Sequence, residues 1–124
     1  MSRRIDLQTA QVDPGPIDDD QIAPLRELGS DDFHELVQLF LDEGASRVAR
    51  LRALQDHGDG ASLAAVAHTL RGTSAAFGAS RLADLCAQIE RATPGDSSID
   101  VSKLVDDVAV EFDRVQASLI AELR

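Results

Sequence analysis

Phe33, Leu36, Val37, Phe40, Gly44, Val48 and Leu51 recur at steps of three and four residues. That spacing lines one side of an α-helix and does not fit the two-residue period of a strand. The pattern returns three times. Leu63, Val66, Ala67, Leu70, Ser74 and Phe77 form a second stripe. Leu82, Leu85, Cys86 and Ile89 form a third, and Val101, Leu104, Val105, Val108, Phe112, Val115 and Leu119 a fourth. Each stripe must be buried against another. Four of them joined by short connections predict an all-α protein, an up-and-down antiparallel four-helix bundle.

Breakers and caps set the expected boundaries. Residues 1–18 read as a flexible tail, because Pro14, Gly15 and Pro16 interrupt them and apolar periodicity is absent. The bundle domain then occupies 19–124. Asp18, Asp19 and Asp20 favour a helix start after them. A short extra helix is expected over about 20–28, with Ile22, Leu25 and Leu28 on one side and Pro24 tolerable only in the first turn. Ser30 is expected to cap a helix running to about Gln55. Asp56-His57-Gly58-Asp59-Gly60 reads as a turn. The third helix is expected over about 61–77, ending near Gly78. Ser80 is expected to cap a fourth over about 81–92. Pro94-Gly95-Asp96-Ser97 reads as a turn before a last helix over about 99–123.

Composition narrows the function classes. With 12 Lys and Arg against 22 Asp and Glu, the net charge is −10. Such a surface repels phosphate backbones and anionic membranes, so neither nucleic acid nor a membrane is an expected partner. The single cysteine excludes an intrachain disulfide and fits a reducing, cytoplasmic compartment. No apolar run reaches the roughly 18 residues that would suggest a spanning helix. Arg3 and Arg4 have no apolar segment behind them, so the start does not read as a signal peptide. Met1 and the polar tail are those expected of a free-standing protein.

The third helix carries the chemical signal. At 100° per residue, His68 lies about 150° from the centre of its apolar face and points to solvent. Its neighbours at three and four residues are Ala64, Ala65, Arg71 and Gly72, with Ala61 and Ala75 a turn further out. An outward face is ordinarily filled by Glu, Lys, Gln and Arg. Here it is a strip of small residues carrying one imidazole and one guanidinium. Gly72 costs a helix roughly 0.5–1 kcal/mol against alanine, and in exchange leaves room beside the ring. The strip reads as an accessible nucleophile with a cation in reach of an anionic group. An incidental surface histidine on an alanine-rich helix is the competing reading.

Residues 67–79, Ala-His-Thr-Leu-Arg-Gly-Thr-Ser-Ala-Ala-Phe-Gly-Ala, resemble the signature of histidine phosphotransfer (HPt) domains. The matching positions are His68, Leu70, Arg71, Gly72, Thr73, Ser74, Phe77 and Gly78, and Leu82, Leu85, Cys86 and Glu90 resemble the helix that follows. The resemblance spans about residues 30–120, with its specific part in about 60–90. It implies a phosphorelay protein that carries a phosphoryl group on His68, by family habit on Nε2, to or from a receiver-domain aspartate. It implies that Arg71 replaces the family's usual lysine as a phosphate contact, with a planar fork for a point charge. It also implies that Glu90 hydrogen-bonds the ring. The spacing permits this: His68 and Glu90 stand ten and twelve residues either side of Gly78, each about 15–18 Å from the bend. A carboxylate on Nδ1–H would leave Nε2 as nucleophile.

The implied partners are a response-regulator receiver domain, a hybrid sensor histidine kinase, or both, met by a monomer. Docking is expected on the small-residue strip beside the apolar flanks of the second and third helices. No cofactor is expected in the chain itself, and Mg²⁺ and the catalytic carboxylates are expected on the receiver. No kinase-type glycine loop or Walker motif is present. His34 and His57 share no ligand spacing with His68, so no metal site is expected. Cys86 and Phe33, Phe40, Phe77 and Phe112 read as core. An interaction-only bundle that binds receivers or kinases without transfer is the alternative function; intact His68, Arg71 and Gly72 argue against it. A phosphatase or metal hydrolase lacks its clusters.

Overall fold

A computed structural model describes residues 15–92 and 100–123. Five helices occupy them: α1 Asp19–Arg26, α2 Ser30–His57, α3 Gly60–Ala76, α4 Ser80–Ala92 and α5 Val101–Glu122. No strand occurs among the described residues. Four helices form the bundle, with α3 against α4, α4 against α5, α5 against α2 and α2 against α3. The short α1 packs on α2 and α3. This is the expected all-α bundle with an extra N-terminal helix. Residues 1–14 of the expected tail and the turn at Pro94–Ser97 lie outside the described residues.

The core is built from the four stripes. Val37, Leu51, Ala67, Leu70, Leu82, Cys86, Ile89, Val105, Val108, Val115 and Leu119 are fully enclosed. Phe40 stacks on Phe77 at 4.4 Å between ring centroids and tilts against Phe112 at 6.2 Å, tying α2 to the end of α3 and the middle of α5. Leu36, Val48, Val66 and Val101 sit half-buried at its margin. Every one of these residues was assigned inward by period alone.

The boundaries shift by no more than two residues, for local reasons. Ser30 is the first residue of α2 rather than its cap; Gly29, at φ +102°, holds the cap position without a side-chain bond. Ser80 likewise begins α4, and Ala83 N–H bonds to Ala79 C=O. The expected five-residue turn shrinks to Gly58 and Asp59, because α2 continues to His57 and stops on Gly58 in the left-handed region. Asp59 then caps α3, its carboxylate accepting from Ser62 N–H at 3.0 Å. α1 ends at Arg26, so Leu28 falls in the following turn and is exposed, while Ile22 is fully buried. Pro24 stands in the second turn of α1, beyond the first turn expected to tolerate it. It is exposed there, so water can reach the carbonyl that its missing N–H leaves unbonded.

At Gly44, α2 has no room for a side chain against α5. A Cβ built on it would collide with Phe112 Cε1, on a buried ring with little freedom to retreat. Gly44→Ala should therefore destabilise the bundle by about 1–3 kcal/mol despite alanine's better helix propensity. Urea unfolding with an unchanged slope would measure it. Asp59 supplies a pH signature. Bonds from the Ser62 N–H first and its hydroxyl second hold its carboxyl below the usual range. Its stabilising contribution is complete above the ordinary value of 3.8 and disappears as pH falls through the lowered folded value. Asp59→Ala should flatten that acid limb of the stability curve, followed by thermal melts across acidic buffers.

Candidate functional site

α3 presents Leu63, Ala67, Leu70 and Ser74 inward. His68 must then face out, and its side chain is 66% exposed. The next helix completes its surroundings. Gly78, at φ +75°, turns the chain after α3, and Phe77 N–H and Ala79 N–H both return to Ser74 C=O. α4 then runs back along α3 with Leu82, Leu85, Cys86 and Ile89 buried. Glu90 arrives beside His68, its side chain 23% exposed.

Three groups meet there. His68 Nδ1 lies 2.9 Å from Glu90 Oε1. An ionised carboxylate can only accept, so Nδ1 carries the ring proton and donates it. In the neutral ring that leaves Nε2 as the nitrogen with the lone pair. Arg71 Nε pairs with Glu90 Oε2 at 2.8 Å, and its Nη2 stands 3.2 Å from His68 Nδ1. Both nitrogens of that last contact bear hydrogen, so it is a close approach of donors rather than a bond. Glu90 thus holds the imidazole with one oxygen and the guanidinium with the other.

Residues 61, 65, 72 and 75 of the small-residue strip are exposed and Ala64 is half-buried. Gly72 differs in kind from Gly44: a Cβ built on it meets nothing within 4 Å. Nothing inside the protein requires glycine there. Beside the strip, Leu36, Leu39, Phe40, Glu43, Arg47, Thr73 and Phe77 line a shallow cleft between α2 and α3. Leu39 is 53% exposed, an apolar side chain that the bundle does not cover.

The remaining candidates stay apart. His34 is exposed near the start of α2, and His57 Nδ1 lies 2.7 Å from Ala53 C=O in the last turn of the same helix. Among the described residues, no three His, Cys, Asp or Glu side chains cluster as metal ligands. Cys86 is enclosed beneath the site. Burial foremost, then the Glu90 charge, push its thiol up to about 12, with Arg71 opposing. It is therefore an unreactive core residue. Sequence reasoning placed Arg71 on the face of His68 as a phosphate contact and Glu90 against the ring but missed their pairing with one another. It also missed Glu111, which is buried on α5 and bound by Arg114 at 2.9 Å. Its place between Val108 and Val115 in the inward stripe was the available signal.

The family model of the Hpt domain matches residues 35–120. Among solved structures, the chain is similar to the crystal structure of histidine-containing phosphotransfer protein B (HptB) from Pseudomonas aeruginosa PAO1. The TM-score is 0.83 at 26% identity, covering 90% of this chain and 96% of that one. No curated protein matches.

Because no atom fills the space at Gly72, Gly72→Ala should stabilise the isolated protein by about 0.5–1 kcal/mol through helix propensity alone. Thermal unfolding would measure the gain; a loss would mean that glycine serves the fold.

Proposed function

This chain belongs to the Hpt domain family, and from that premise we propose that His68 is the residue on which it carries the phosphoryl group. The chain is a histidine phosphotransfer protein of phosphorelay signalling. The observation that carries the residue assignment is the ring itself. It is exposed on α3, with Nδ1 2.9 Å from Glu90 Oε1, a contact that in the neutral ring leaves Nε2 as the nitrogen with the lone pair.

Phosphoryl transfer asks for in-line approach and charge stabilisation more than for covalent work by the protein. Nε2 attacks the phosphorus of a partner's aspartyl phosphate, the N–P bond forms, and the carboxylate leaves with the electron pair of the O–P bond. Glu90 fixes the tautomer. Arg71, held beside the ring, is the cation that meets the phosphoryl oxygens. Gly72, Ala61, Ala64, Ala65 and Ala75 leave clearance for the partner's backbone, and the Leu36–Leu39–Phe40–Phe77 cleft gives it an apolar footing. The partner is a receiver domain, alone or within a hybrid sensor kinase, and it brings Mg²⁺ and the catalytic carboxylates. The chain acts as a monomer in the cytoplasm. Among the described residues, no helix is long and apolar enough to cross a membrane.

Incubation with a phosphorylated receiver domain should place acid-labile, base-stable label on the chain. His68→Gln should abolish it; label retained in that variant would refute the site. Arg71→Ala should slow acceptance by about tenfold, the value of one charge-assisted hydrogen bond, with little change in melting temperature. Unchanged single-turnover kinetics would remove Arg71 from the site.

A further inference from the structure

We propose that the cavity between the segment leading into α1, the reversal at Gly78 and the flank of α5 binds a small zwitterion, a free α-amino acid, with Arg81 taking its carboxylate and Glu111 its ammonium. The site goes beyond the carrier reading and does not depend on His68. The cavity has a volume of about 530 Å³, within the roughly 300–1,000 Å³ usual for small-molecule sites. Its walls are residues 15–18, Gly78, the first turn of α4 with Ser80 and Arg81, and Glu111 and Arg114 of α5. Asp18 N–H bonds to Gly78 C=O at 2.7 Å and ties the segment to the reversal. Gly78 follows His68 by ten residues, so the cavity stands about 15 Å from the imidazole along α3.

Glu111 is the observation that points to a ligand. Its residue is only 3% exposed, on the apolar stripe of α5. Arg114 at 2.9 Å and Arg81 at 3.5 Å both approach Oε1, while Oε2 is buried with no hydrogen-bond partner. A buried carboxylate oxygen without a donor is costly, and the cavity is the side from which a donor can come. The last torsion of a glutamate is soft, so a turn of the carboxylate offers that oxygen to the cavity. Arg81 is the complementary group. Its side chain is 64% exposed, and its ionic contact among the described residues is the long one to Glu111. It stands in the first turn of α4. Ala79, just before that helix, has no side-chain acceptor for the first-turn N–H groups. Those groups and the guanidinium together favour a carboxylate.

Charge decides the class of ligand. A simple anion drawn to Arg81 meets the Glu111 carboxylate, and a simple cation drawn to Glu111 meets Arg81 and Arg114. The other acids at the rim are engaged: Asp18 caps α1, and Asp19 pairs with Arg26 at 2.9 Å. A molecule carrying both charges a few ångströms apart satisfies the two sides at once, and an α-amino acid is the smallest common one. Its ammonium supplies the donor that Oε2 lacks, and its carboxylate supplies the acceptor that Arg81 and the first turn of α4 lack.

The test titrates the full chain with the common α-amino acids, each beside its N-acetyl derivative and its methyl ester, by calorimetry and amide NMR. At least one amino acid should bind saturably, with shifts centred on Ser80, Arg81 and Glu111. Each blocked derivative should bind about tenfold more weakly, the loss of one charge-assisted contact. Arg81→Gln should bind the amino acid about tenfold more weakly and no longer distinguish it from its methyl ester. Arg81 is exposed enough to be changed without unfolding the bundle. Glu111→Gln should cease to distinguish the amino acid from its N-acetyl derivative; should that variant not fold, Arg81→Gln decides. His68→Gln should bind as the wild type does, so that failure of phosphoryl acceptance and failure of this site are read separately. Absence of saturable binding below about 10 mM overturns the proposal. So do equal binding of either blocked derivative, undiminished binding by Arg81→Gln, weakened binding by His68→Gln, inorganic phosphate bound as tightly as the amino acid, and shifts centred away from the cavity.

Discussion

The reversal at Gly78 is the constraint on which the site depends. Its φ of +75° is open to glycine and strained for other residues, and a Cβ there would stand 2.6 Å from Asp18 C=O. Asp18 N–H bonds to Gly78 C=O at 2.7 Å, so the same glycine accepts the chain leading into α1. The turn sets the register of α4 on α3. With Leu70 and Ser74 inward on one helix and Leu82, Leu85, Cys86 and Ile89 inward on the other, Glu90 has one place to go. A slip of one residue would carry it about 100° around its helix and away from the imidazole. The His68–Glu90 contact is thus a product of core packing twenty-two residues apart in sequence.

That dependence explains how α3 can carry an outer face with so little to contribute to stability. The inner face is enclosed by three neighbouring elements, α1, α2 and α4. Tertiary burial outweighs the local cost of an interior glycine by a wide margin, since one enclosed leucine is worth about 1.5–3 kcal/mol. Gly44 and Gly72 show the two uses of the residue in one protein. At Gly44 the missing Cβ admits the Phe112 ring and serves the fold. At Gly72 it admits nothing from this chain, and the space is left to whatever docks beside His68.

The bundle was legible because its signal is periodic. Apolar residues at three- and four-residue steps named nearly every buried position, and the exposed orientation of His68 followed from the same geometry. Caps were less legible. Gly29 and Ala79 stand just before the first residues of α2 and α4, so Ser30 and Ser80, the better capping side chains, fall one position inside those helices. The reach from His68 to Glu90 could be bracketed by counting residues from Gly78. The division of Glu90's two oxygens between a ring and a guanidinium could not, because it depends on rotamers within the packed pair. Glu111 was hidden for a related reason: a charge in an apolar stripe reads as a defect until Arg114 and Arg81 are found beside it.

Charge distribution adds a last step. The chain has 22 acidic residues, yet α3 has none among its 17. Near His68 the one carboxylate of the triad is matched by Arg71, and at the apolar cleft Glu43 is matched by Arg47 at 3.4 Å. A partner bringing a phosphorylated aspartate and its neighbouring carboxylates is itself acidic at the point of contact. Over most of this surface it would meet like charge; along α3 it meets a nearly neutral strip with one guanidinium. On the proposed assignment, the acidic remainder would act as a guide, making the face that holds His68 the least repulsive approach. Salt should weaken this discrimination before it weakens the contacts themselves, because charges more than about 8–10 Å apart are largely screened while the Arg71–Glu90 pair stands at 2.8 Å.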